Sequence, residues 1–209
     1  MLVPVMEKSW IYKPKSDNEE IEKLSEELNI DGLLANLLIQ RGIKTYDQAK
    51  KFFRPSLDDL YDPFRMKDMN KAVERIEMAV QNNQKILVYG DYDVDGTTSV
   101  ALVYSFLKKY YSNIDFYIPD RYKEGYGISY EGINHASSTN VSLIIALDCG
   151  IKASNKIDYA KSLGIDFIIC DHHTPEDKIP KAIAVLDPKR PGCKYPFKDL
   201  SGCGVGFKM

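Results

Sequence analysis

Carboxylates stand at every second position of GDYDVDG, residues 90–96, as Asp91, Asp93 and Asp95. Like charges this close are tolerated when a cation or a proton lies between them. Further along, LDCG supplies Asp148, and the triplet DHH supplies Asp171, His172 and His173. Carboxylates with an imidazole suit manganese or magnesium, and no cysteine pair stands near them to form a structural zinc site. Any one of these aspartates alone is more often a helix cap or a turn residue. Converging on one sheet edge, the set reads as a divalent-metal site, whose ions activate water and neutralise an anionic substrate.

The surrounding sequence offers such an edge. From residue 85 onward short apolar stretches alternate with amphipathic ones. Strands are expected at KILVYG, DFYIP, SLIIALD, DFIICD and AIAVLD, and helices at about 97–111, 129–138 and 153–163. Ligands of parallel sheets bind beyond the carboxyl ends of the strands. Asp91 to Asp95, Pro119 to Arg121, Asp148, the Asp171–His173 triplet and Asp187 each follow a strand directly. Alternate residues of an extended strand end lie on one side about 7 Å apart, so Asp93 and Asp95 are expected to share one ion or bracket two. Asp148 and His172 arrive from strands about 5 Å away. Thr97, Thr98 and Ser99 are expected to begin the helix that follows.

Upstream, SDNEEIEKLSEELNI, DGLLANLLIQRGI and TYDQAKKFF read as short helices, and NKAVERIEMAVQNNQK as a longer amphipathic one. The fold class expected is α/β: a five-stranded, mostly parallel sheet with helices on both faces, preceded by a small helical N-terminal segment. The expected division is 1–80 and 81–209.

With 209 residues, 44% of them hydrophobic, the chain is long enough for one sizeable core with a smaller appendage. No apolar run approaches the roughly 18–20 residues of a membrane helix, and MLVPVMEKSWIYK lacks a basic start followed by an apolar stretch, so a cytoplasmic protein with no membrane partner is expected. The four cysteines show no CxxC spacing and read as free thiols. A net charge of −2 does not by itself suggest a nucleic-acid binder, but from Lys85 onward 15 basic residues face 15 acidic ones. Divalent ions on several of those acids change the local sign.

GDYDVDG, LDCG and DHH, in this order, resemble the first three motifs of the DHH phosphoesterase superfamily, named for the triplet that is here Asp171, His172 and His173. PSLDDLYDPFRMKDMNKAVERI, PDRYKEGYG and YPFKDLSGCGVGFK narrow the resemblance to the RecJ-type exonucleases specific for single-stranded DNA, from about residue 20 to the last. The resemblance implies Asp93, Asp95, Asp148 and His172 as metal ligands, Asp148 bridging two ions, with Asp91 completing the first ion's shell and His173 facing the substrate phosphate. It implies two Mn2+ or Mg2+ ions in a full-length protein and release of mononucleotides from the 5′ end of single-stranded DNA in recombination and repair. Single-strand-binding protein or helicase partners go with that role. Family members place a further metal-binding aspartate and a closing domain after the segment that ends this chain. An N-terminal fragment with an incomplete phosphoesterase domain and little activity of its own is therefore expected.

Arg121 and Tyr126 lie on a loop at the same edge. Arginine holds a phosphate through paired hydrogen bonds, and tyrosine stacks on an unpaired base, so both are expected to bind substrate, with Arg121 and His173 as catalytic groups. Asp187 is assigned a turn role beside Pro188, His135 a place on the surface, and GCGVG a close-packed turn. Four other readings compete. DVDGTT resembles the first motif of haloacid-dehalogenase phosphatases, which leaves the histidines unexplained. The manganese pyrophosphatase branch carries a histidine where Tyr89 stands here. A relative acting on short oligoribonucleotides or cyclic dinucleotides, and a metal-free scaffold of the same fold, are the remaining alternatives; retention of every motif aspartate and both histidines disfavours the scaffold.

Overall fold

The computed structural model describes residues 9–209; most of the N-terminal stretch read above for a targeting signal lies outside them. Asp17, Asp31 and Thr45 each turn a side-chain oxygen onto free backbone N–H groups and so start three helices: α1 (Asn18–Leu28), α2 (Gly32–Ile39) and α3 (Tyr46–Phe53). Ile21, Leu24, Ala35, Leu38, Ile39, Ile43 and Ala49 form their shared core. This compact unit ends at Leu60, and a second runs from Tyr61 to Met209.

After a single 3-10 turn (Pro63–Arg65), the second unit continues with α4 (Met69–Gln81), followed by β1 (Lys85–Gly90), α5 (Val94–Lys108), β2 (Ile114–Tyr117), α6 (Tyr130–Ser138), β3 (Val141–Leu147), α7 (Ser154–Ser162), β4 (Asp166–Cys170), β5 (Ala184–Leu186) and α8 (Gly202–Lys208). The expected boundary at 80/81 therefore sits beyond the division into compact units. Met69, Ala72 and Ala79 of α4 bury against Ile86 and Ile168 of the sheet, so tertiary packing assigns that helix to the second unit.

The sheet order is β2-β1-β3-β4-β5, and every neighbouring pair is parallel. Side chains alternate across it with a period of two. Ile86, Val88, Leu143, Ile145 and Leu147 face α4, α5 and α8, whereas Leu87, Tyr89, Ile144, Ala146 and Ile169 face α6 and α7. Both faces are covered, which is why the central strands read as unbroken apolar runs. Each fully buried Ile, Leu or Val contributes about 1.5–3 kcal/mol. From β1 the chain steps to β2 on one side and later to β3 on the other, so the loops after β1 and β3 diverge and leave a crevice at their carboxyl ends. No helix among the described residues is long and apolar enough to cross a membrane.

Candidate metal centre

After β1 the chain turns into α5 earlier than its alternating pattern suggests. Asp93 is the N-cap, its Oδ1 accepting from the Gly96 N–H at 3.0 Å, and the helix begins at Val94 rather than at Thr97. Gly96 packs directly on the Asp91 backbone; a Cβ there would lie 2.7 Å from the Asp91 nitrogen. Asp93 and Asp95 are thus not alternate residues of an extended end. Asp93 is exposed at the cap, while Asp95 lies in the first helical turn and accepts from the Gly202 and Cys203 N–H groups, each at 2.7 Å. Asp91 is buried; its Oδ1 accepts from the Gly127 N–H at 3.3 Å and its Oδ2 has no partner. Burial, with Asp93 nearby, raises its carboxyl above the usual range.

Asp148 follows β3 in the left-handed region at φ 60°, with its N–H bonded to the Cys170 carbonyl at 2.8 Å. Its side chain is buried, and Oδ1 lacks a hydrogen-bond partner. Burial first, then the nearby Asp95 and Asp93 carboxylates, push the Asp148 carboxyl up to about 8. His172 Nε2 lies 3.2 Å from that Oδ1 and 3.7 Å from Asp95 Oδ2. His172 Nδ1 donates to the Leu200 carbonyl at 2.9 Å. A carbonyl only accepts, so in the neutral ring the proton is on Nδ1 and the Nε2 lone pair faces the carboxylates, as in a metal-ligating imidazole.

Asp171 organises the triplet instead of facing the centre. Its Oδ1 accepts from the His172 and His173 N–H groups and from His173 Nδ1, and its Oδ2 accepts from the Ile151 N–H. Against the burial that opposes it, these bonds hold the Asp171 carboxyl below its ordinary value, and Asp171 in turn raises His173. His173 Nε2 meets the Tyr126 hydroxyl at 3.1 Å. Asp148, His172 and His173 offer ligand atoms all within 4.8 Å of one another. This groups His173 with Asp148 and His172, and leaves outside the cluster Asp91, Asp93 and Asp95, whose carboxylates accept backbone bonds from Gly127, from Gly96 and from Gly202 and Cys203.

A cleft of about 490 Å³ opens beside His173, between Tyr126–Tyr130 and the start of α7. Arg121 is exposed on the loop before it, its guanidinium 5.4 Å from the centre of the Tyr92 ring. Asp187 accepts from the Lys189 N–H at 2.7 Å, which matches its assigned turn. Tyr89 is buried and donates to the Gly127 carbonyl at 3.0 Å. The cysteines are free, and His135 is exposed. The groups that sequence reasoning missed are backbone: the Leu200 carbonyl and the Gly202 and Cys203 N–H groups, whose only signal was GCGVG, here the start of α8 and not a turn.

The profile of the DHH family, N-terminal domain, matches residues 85–209. The chain belongs to the DHH family. Among DHH relatives, the single-stranded-DNA-specific exonuclease RecJ of Bacillus subtilis is 45% identical over 195 residues, covering 93% of this chain and 25% of that protein. The RecJ of Escherichia coli is 35% identical over 178 residues, or 85% of this chain and 30% of that protein. A crystal structure of exonuclease RecJ bound to manganese superposes with a TM-score of 0.59 at 30% identity, over 68% of this chain and 36% of that one. The chain thus spans between a quarter and about a third of the length of these relatives.

Proposed function

We propose that this chain forms the metal-binding part of a divalent-cation-dependent phosphodiesterase that degrades single-stranded DNA from its 5′ end in recombination and repair. The observation that carries the reading is the buried, unpartnered Oδ1 of Asp148 set 3.2 Å from the Nε2 lone pair of His172. A donor set of carboxylates and one imidazole fits Mn2+ or Mg2+. Asp148 and His172 are the central ligands, and Asp91, Asp93 and Asp95 complete the set proposed for two ions. When bound, such ions supply Lewis-acid polarisation of a phosphoryl oxygen and activation of water.

The other tasks fall to the chain. Asp171 keeps the Nδ1 proton of His173 in place, so that Nε2 is presented to the cleft and to Tyr126. That carboxylate raises the proton affinity of His173, which favours neutralisation of charge on the phosphate. Arg121 binds a phosphate from its exposed loop, and the Tyr126 ring takes an unpaired base. The RecJ relatives support the choice of substrate. A single-strand-binding protein and a helicase are the proposed partners, and the cytoplasm the proposed location.

Single strands labelled at either end, incubated with the purified gene product and Mn2+, test the proposal. Mononucleotide released first from the 5′ end, and stopped by EDTA, is expected. Release from the 3′ end, equal attack on duplex, or activity that persists in EDTA would overturn it.

A further inference from the structure

The segment Leu200–Cys203 touches three of the candidate ligands through its backbone alone. The Leu200 carbonyl accepts from His172 Nδ1 at 2.9 Å, and the Gly202 and Cys203 N–H groups donate to Asp95 Oδ2 and Oδ1, each at 2.7 Å. Gly202 also lies directly against Asp148: a Cβ built on it would stand 2.6 Å from both Cβ and Cγ of that aspartate, closer than real Cβ contacts come. We infer that Leu200–Cys203 is a backbone bracket that positions Asp95, Asp148 and His172, and that glycine at 202 is needed for the centre's full affinity for a divalent ion. The inference rests on the metal reading above and adds to it the groups that set the ligand geometry.

Two N–H groups on one carboxylate fix its plane as well as its position, because charge-assisted bonds are short and directional. Here they join the first turn of α5 to the first turn of α8, residues 107 and 108 positions apart in sequence. The third contact is steric. Any side chain at 202 takes the space the Asp148 carboxylate occupies; the carboxylate could escape only by rotating away from the centre, and the Asp148 Cβ is held by the backbone bond to Cys170. Gly204, in the same helix, is different. The three nearest atoms a Cβ there would meet are Leu200 Cδ2 at 3.3 Å, Ser201 Oγ at 3.4 Å and Leu200 Cβ at 3.5 Å, side-chain atoms at tight or ordinary contact distance and none of them on a candidate ligand. Gly204→Ala is therefore a matched control that changes α8 without entering the centre.

The test uses Mn2+ alone as the probe, with free ion counted by electron paramagnetic resonance during titration of this chain. Groups that orient metal ligands typically change affinity by about 10–100-fold. Gly202→Ala is expected to weaken Mn2+ binding by about tenfold or more, with Gly204→Ala binding as wild type. Cys203→Pro provides an independent variant should Gly202→Ala fold poorly: it deletes one donor to Asp95 in a first helical turn, where proline is tolerated, and is expected to weaken binding as well. In metal-free protein, Asp95→Ala should speed hydrogen exchange at the Gly202 and Cys203 amides. The inference falls if the first and third variants bind Mn2+ like wild type, if Gly204→Ala loses as much as Gly202→Ala, or if those amides exchange at an unchanged rate. A wild-type chain that takes up no Mn2+ overturns the metal reading itself, an outcome separate from variants that bind equally well.

Discussion

His172 holds its Nε2 3.2 Å from Asp148 Oδ1 while its Nδ1 is committed to the Leu200 carbonyl. With a neutral ring and an ionised carboxylate, two lone pairs face each other, an arrangement that only a proton or a cation makes favourable. Without metal a proton on Asp148 relieves this below about pH 8, and the variants below separate what the charge does for stability from what it does for chemistry.

Asp148→Asn keeps the shape of the side chain and removes its charge. Mn2+-dependent hydrolysis should fall more than about a hundredfold, since a central ligand matters more than the partners that orient it. Without metal, the melting temperature above pH 8 should rise, because the wild-type carboxyl is pushed up to about 8 and its ionised form is unfavourable in the fold. Hydrolysis at the wild-type rate would remove Asp148 from the centre.

The same groups set the pH dependence of the metal-free fold. Burial raises Asp148 to about 8, Asp187 to about 6 and Asp91 above its usual range. Between about pH 4, where carboxylates titrate in an unfolded chain, and pH 8, the folded state therefore holds more protons, and stability falls as pH rises. His173 acts in the same direction: raised by Asp171, its contribution is complete below the ordinary histidine value and lost as pH climbs through the folded one. Asp171 is lowered, so its contribution is present above the ordinary carboxylate value and lost only on acidification. Melts in EDTA should show a higher midpoint at pH 5 than at pH 8, and the increment added by Mn2+ should be larger at pH 8, because the ion displaces protons. The reverse order in EDTA contradicts this account.

Substrate contacts divide by salt dependence. Arg121→Ala should weaken binding to all single strands about equally and lower the salt slope by about one phosphate contact. Tyr126→Ala should lose about 1–3 kcal/mol with the slope unchanged, since stacking releases no counterions. Salt titrations with Ca2+ in place of Mn2+ check both. Unaltered affinity and slope in both variants reduce this loop to a turn.

At the opposite ends of the strands, Arg75 is buried and bonds Asp166 at 2.7 Å, Gln84 at 2.9 Å and the Ser142 carbonyl at 3.4 Å. Arg75→Met keeps the apolar stem and loses these bonds. Urea denaturation should record a loss of about 2 kcal/mol, in the range for hydrogen bonds to charged groups. Mn2+ affinity should not change, and a parallel loss of affinity would show that this end of the sheet acts on the other.

Much of this was legible in the sequence where local pattern and tertiary demand agree. The apolar runs ending in Asp91, Asp148 and Asp171 mark strand ends because both faces of the sheet are covered. Legibility failed where distant backbone decides. DYDVD has the period of a strand, yet Asp93 caps a helix, because close packing of Gly96 on Asp91 and the donors of α8 favour an early helix start. GCGVG resembles a turn by its glycines, but Ser201 caps it and Val205 buries in the core, so it is helical. The motif reads His173 as a substrate contact; what it does not give is that His173 Nδ1 donates to Asp171 and that the ring lies beside Asp148 and His172.

The bond between Asp95 and Gly202 spans 107 residues, and the ligands in between follow β1, β3 and β4. As the chain leaves the ribosome, Asp91, Asp93 and Asp95 emerge long before the groups that orient them. Parallel pairing of this kind forms late and slowly, because loop closure must precede every contact. Affinity for a divalent ion is therefore expected only once the sheet is paired and α8 has docked, and in a refolding experiment metal uptake should report those events and trail the recovery of helical signal.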